Sequence, residues 1–204
     1  MDDETKSLKI RACVTDFCLQ CQPHPFGFLN EASFQGSLLA LLRSCINETV
    51  TFNQRGKELD VNVFQAEYAS RIDLACIDKN QADIKLKENK DKLDTKLQDI
   101  LWRLPMFLGI EFKLQRYNYP NTIKDFFEGL EVDKKKLVNL KGTGLGQLQW
   151  WLVLGFVHEP EKVTKDILAN YDFIPCEEEG DRPVIGFDQT YVVTQKGFFQ
   201  KRLD

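Results

Sequence analysis

Histidine is almost missing from this chain: His24 and His158 are the only two in 204 residues. That scarcity excludes most histidine-based chemistry, including metal motifs built on paired histidines. The sequence also has no phosphate-cradling glycine loop and no serine-centred nucleophile elbow. No apolar run approaches the roughly 18 residues of a membrane span, so no membrane is expected as a partner. The first residues, MDDETKSLKIR, are acidic and polar, unlike a secretory or transit signal, and the expected location is cytoplasmic. An excess of either charge is lacking too. Lys and Arg number 27 against 31 Asp and Glu, a net −4, which argues against a generic binder of nucleic acid or membrane. The six cysteines, without a secretion signal, point to reduced thiols and not to a disulfide framework.

What is present suits a folded α+β chain. Apolar residues make up 43% of it, and 15 phenylalanines and three tryptophans can fill a sizeable core. Residues 33–46 predict a helix capped by Ser33, because Phe34, Leu38, Leu41, Leu42 and Cys45 recur at helical spacing. Val50 and Phe52, a turn signal at NQRG, and then Leu59, Val61 and Val63 predict a hairpin. RIDLACID (71–78) reads as a strand or a helix end, and residues 81–104 as a charge-rich helix ended by Pro105. LGIEFKLQRY (108–117) reads as a strand, and NYPNT (118–122) is the best break. The predicted division is an N-terminal α+β domain over residues 1–118 and a second, helix-rich domain over 121–204.

That second part predicts short helices at 122–130, 133–140 and 145–154, a strand at 190–194 and a last helix at 195–203. With LVLGFV (152–157) and YVVTQKG (191–197), this order resembles a winged helix-turn-helix module. The resemblance implies that the third helix meets DNA or a partner and that the two quoted segments form the wing. The 32 residues between GFV and TYVVT exceed a simple wing. Either VTKDILANYDFI (163–174) is an inserted helix or FIPCEEEGDRPVIGF is the hairpin itself.

On that resemblance the chain is expected to be a non-enzymatic subunit or regulator that contacts double-stranded DNA or a protein partner, with a homodimer as one arrangement that would span two half-sites. Lys134, Lys135, Lys136, Lys141 and Lys196 would meet phosphates, and Gln147 and Gln149 base edges. Trp150 would anchor a protein partner, against the alternative that it simply packs. Residues 121–204 hold 11 Lys and Arg but 14 Asp and Glu, and Glu177, Glu178, Glu179 and Asp181 crowd the wing tip, which suits a protein partner as well.

Two further constellations could carry chemistry. Cys13-x4-Cys18-x2-Cys21-x2-His24 supplies zinc-ligand types, though in one compressed run and not as two separated pairs; the alternative is a set of buried thiols. Asp73 in RIDL and Glu111 and Lys113 in IEFK resemble the site of PD-(D/E)xK nucleases. There two carboxylates hold Mg²⁺ and the lysine orients the attacking water. The alternative is an amphipathic strand with Glu111 and Lys113 facing solvent. No cofactor is required by the first reading; Mg²⁺ belongs to the nuclease reading and Zn²⁺ to the cysteine run.

Overall fold

A computed structural model describes residues 1–23, 30–54, 57–68, 72–88, 104–115, 122–142 and 148–202. The elements are α1 (Asp3–Cys21), α2 (Glu31–Cys45), β1 (Thr49–Gln54), β2 (Lys57–Asn62), β3 (Phe64–Tyr68), β4 (Ile72–Ile77) and α3 (Lys79–Glu88). Then follow β5 (Met106–Gln115), α4 (Ile123–Gly142), β6 (Leu148–Val157), α5 (Lys165–Asn170), β7 (Phe173–Pro175), β8 (Glu178–Glu179), β9 (Arg182–Pro183), β10 (Gln189–Thr194) and β11 (Gly197–Lys201). The fold is α+β, as expected.

Seven strands form one sheet in the order β3-β4-β5-β6-β10-β11-β7. β4 runs antiparallel to β5, β5 parallel to β6, and β6 parallel to β10. The residues connecting β5 to β6 include α4, as a parallel pair requires a long crossover. This sheet takes strands from both sides of the expected 118/121 boundary, and residues 116–121 lie outside the description.

Strand alternation divides the core between two faces. On one face Phe112 and Phe156 stack, and Phe156 meets Phe34 of α2 at 4.4 Å and Phe17 of α1 at 5.9 Å between ring centroids. On the other face lies α4. Gly155 of β6 is the point of closest approach: an added Cβ would stand 2.8 Å from Phe126 Cζ and 3.0 Å from Leu130 Cδ2. Glycine there lets α4 lie directly on the sheet.

Several expectations hold and several fail. The helix near 33–46 is α2, but its cap is Asn30, whose side chain accepts the Ser33 N–H at 2.9 Å. The hairpin is β1–β2. The N-terminus, for which no element was expected, forms the 19-residue α1, capped by Asp2. The separate helices at 122–130 and 133–140 are one helix, α4. The expected third helix at 145–154 is largely strand β6, and the expected last helix is strand β11. β6 is buried from Trp151 to Val157, so its apolar side chains fill both faces and leave no alternation to distinguish strand from helix. Nothing among the described residues identifies a winged helix. The FIPCEEEGDRPVIGF alternative fares better, since β8 and β9 pair as a short hairpin.

Candidate active site

The site lies where β4 and β5 part. Their ladder runs through Ala75↔Gly109 to Leu74↔Ile110, and one step beyond stand Asp73 and Glu111. Among the described residues the β4–β5 ladder ends at that step. The Asp73 carboxylate takes the Phe112 N–H at 2.8 Å, and Glu31 at the start of α2 takes the Leu114 N–H at 3.1 Å. Alternate N–H groups on one strand edge are thus met by carboxylates from two different elements. Sequence reasoning missed Glu31; its only signal was an acid in the first turn of a helix, a common feature.

β5 is a central strand, buried along nearly its whole length. Such strands are normally apolar on both faces. Here one face is apolar, and the other carries Glu111, Lys113 and Gln115 after Phe107 and Gly109. Glu111 is 2% exposed, so the reading in which it faces solvent is corrected: the α4 layer covers that face. Lys113 is one-third exposed along its side chain.

α4 completes the cluster with a crossed pair of ion pairs. Lys136 Nζ lies 2.7 Å from Glu111 Oε1, and Lys113 Nζ lies 3.4 Å from Asp133 Oδ2. Asp133 and Lys136 sit three residues apart, one helical turn, and so share the sheet-facing side of α4. Gly129, one turn earlier, makes room for Lys113, whose Cε an added Cβ would meet. Burial pushes the Glu111 carboxyl up to about 8, the Asp73 charge adds to this, and Lys136 opposes it. Asp133 is also raised, by burial first, against the pull of Lys113.

Glu111 Oε1 and Asp133 Oδ2 are buried oxygens, each facing a lysine ammonium, at 2.7 and 3.4 Å. A metal ion at Glu111 would have to displace that ammonium. Among the described residues no group of three or more His, Cys, Asp or Glu is arranged to hold a metal ion as it stands. Mg²⁺ does not need one, because it typically takes one or two carboxylates and completes its shell with water and substrate phosphate. Asp73 and Glu111, one step beyond the last β4–β5 pair, are the carboxylates here that could serve.

The other expected site residues scatter. Lys134 is half-buried and Lys135 exposed on α4. Lys141, at the far end of α4, pairs with Asp188 at 2.6 Å and lies 5.2 Å over the Trp150 ring. Gln149 is exposed, but on strand β6 and not on a helix; Gln147 lies outside the described residues. Lys196 donates to the Pro160 carbonyl. Trp150 is half-buried and packs on Phe187 at 6.0 Å. Cys13, Cys18 and Cys21 are buried in α1, and burial pushes the Cys13 and Cys21 thiols up to about 12, which disfavours the thiolates zinc needs. His24, the fourth residue of that run, lies outside the described residues.

Among the described residues no helix is long and apolar enough to cross a membrane. No protein-family model matches the chain, and neither does any curated protein or solved structure.

Proposed function

We propose that the chain is a Mg²⁺-dependent phosphodiesterase acting on nucleic acid, with Asp73, Glu111 and Lys113 as its centre. The observation that carries this reading is the parting of β4 and β5 at Asp73 and Glu111. It gathers two carboxylates and a lysine on adjacent central strands, with one of the carboxylates almost fully buried.

Each residue has a role that follows from its position. Asp73 is anchored by the Phe112 N–H through Oδ2, which leaves its other oxygen for an ion. Glu111 brings a second carboxylate from a rigid central strand, where packing limits its motion. A Mg²⁺ held between them would polarise a phosphoryl oxygen and acidify a bound water. Lys113 stands two residues from Glu111 on the same strand face, so its ammonium can orient that water or meet charge developing on the phosphate. Asp133 holds Lys113 on that side of the sheet. Lys134 and Lys135, on the same helix as Asp133, offer positive charge to flanking phosphates.

The test is cleavage of end-labelled duplex DNA, single-stranded DNA and RNA by the purified chain at millimolar Mg²⁺. Cleavage of at least one substrate is expected, tracking the chain through a final sizing column and stopping when a chelator is added. Absence of cleavage of all three, with Mg²⁺ or Mn²⁺, would overturn the reading. The earlier expectation of a non-enzymatic DNA contact predicts the same absence, together with duplex binding that weakens steeply with salt.

A further inference from the structure

Lys136 has no part in the reading above, yet it pairs directly with the buried carboxylate. Its two neighbours in the KKK run do otherwise: Lys135 is exposed and Lys134 half-buried. Among the described residues Lys136 alone of the three forms an ion pair, with its Nζ 2.7 Å from Glu111 Oε1. The Glu111 side chain is 3% exposed and that of Lys136 is 34% exposed, so the lysine reaches in from the solvent side. Its ammonium therefore occupies an oxygen of the carboxylate that the proposed metal site needs.

Two cations cannot share that oxygen closely. A Mg²⁺ bound to it would sit at about 2.1 Å, and the ammonium at its present distance would repel it strongly in a partly buried site. A phosphodiester beside the site changes the balance, because it offers Lys136 another anion.

We infer that Lys136 is a positioning residue that keeps Glu111 from its metal until a nucleic-acid phosphate draws the lysine away. The inference rests on the proposed metal site and assigns its regulation. Phosphate frees the carboxylate by taking the lysine, and metal frees the lysine by taking the carboxylate. Metal and nucleic acid thereby favour each other's binding, and the coupling is reciprocal by linkage. The chain would load its metal chiefly on substrate, and a site without substrate would stay idle.

The test is Mn²⁺ binding, read as free Mn²⁺ by electron paramagnetic resonance, with no nucleic acid present. Wild type is compared with Lys136→Met, Lys136→Arg, Lys113→Met and Glu111→Gln. Removing the competing charge in Lys136→Met is expected to tighten Mn²⁺ binding about tenfold, within the usual range of coupling between sites. Lys136→Arg, which keeps the charge, is expected to bind as wild type does. Lys113→Met, whose lysine faces Asp133 and not Glu111, is expected to gain less than Lys136→Met. Equal or weaker binding in Lys136→Met, or an equal gain in Lys113→Met, would overturn the inference while leaving the metal site standing. Mn²⁺ binding that Glu111→Gln does not weaken would remove the metal site, and the inference with it.

Discussion

Glu111→Gln is expected to abolish cleavage and to make the protein more stable. The loss of activity follows from removing one of the two carboxylates proposed to hold the ion, and about a thousandfold or more is expected, as when a principal electrostatic catalyst is removed. The gain in stability follows from the raised carboxyl. Burial, helped by Asp73, lifts Glu111 from 4.5 to about 8 in the folded chain. Between those values the native state keeps a proton that the unfolded chain releases. Native stability therefore falls as pH rises through the window, and below it the group makes no difference to the pH dependence. Glutamine does not titrate, so the advantage of the variant should widen from pH 5 to pH 8 by on the order of 2–4 kcal/mol. Lys136, one-third exposed, can turn to solvent when its partner is gone. Thermal melts of both proteins across that range are the check. A gap that stays constant with pH, or a variant less stable at pH 8, would contradict the account of the buried carboxylate. Stability surrendered at a working site is a common trade.

Gly155→Ala is expected to damage the fold and the site together. The new methyl would meet Phe126 and Leu130 at 2.8 and 3.0 Å, and neither is free to withdraw, because both are buried between α4 and the sheet. Overpacking of this kind costs about 1–3 kcal/mol. It also lifts the helix that carries Asp133 and Lys136, so the ion pairs with Lys113 and Glu111 should loosen. Gly36→Ala makes the contrast. Gly36 lies inside α2 with nothing within 4 Å of an added Cβ, and alanine there should stabilise by about 0.5–1 kcal/mol. Urea denaturation of the two variants separates them. Equal stabilities for Gly155→Ala and wild type would mean that α4 is not seated as described.

How much of this could be read from the sequence depends on the element. α2 and the β1–β2 hairpin carried clear periodicities, and both formed. β6 did not, because a strand buried on both faces has no polar side to mark its period; residues 145–154 therefore passed for the third helix of a winged module. β11 passed for a helix for want of length, as five residues carry too little pattern to decide. Of the candidate site, Glu111-x-Lys113 carried a spacing common to any amphipathic strand, with Asp73 far upstream, and the sequence could not tell an inward-facing Glu111 from an outward-facing one. That depends on α4 covering the odd-numbered face of β5. Glu31 and Asp133 reach the same site from 42 residues before Asp73 and 20 residues after Lys113, separations that no local motif spans.

The most direct measurement is the position of Mn²⁺ in crystals of the chain grown with a short oligonucleotide, located by anomalous scattering. The account predicts a peak between the carboxylates of Asp73 and Glu111, at about 2.1–2.3 Å from one oxygen of each, with Lys136 turned away toward phosphate. A peak elsewhere on the chain, or none at millimolar Mn²⁺ with Lys136 still on Glu111, would contradict it.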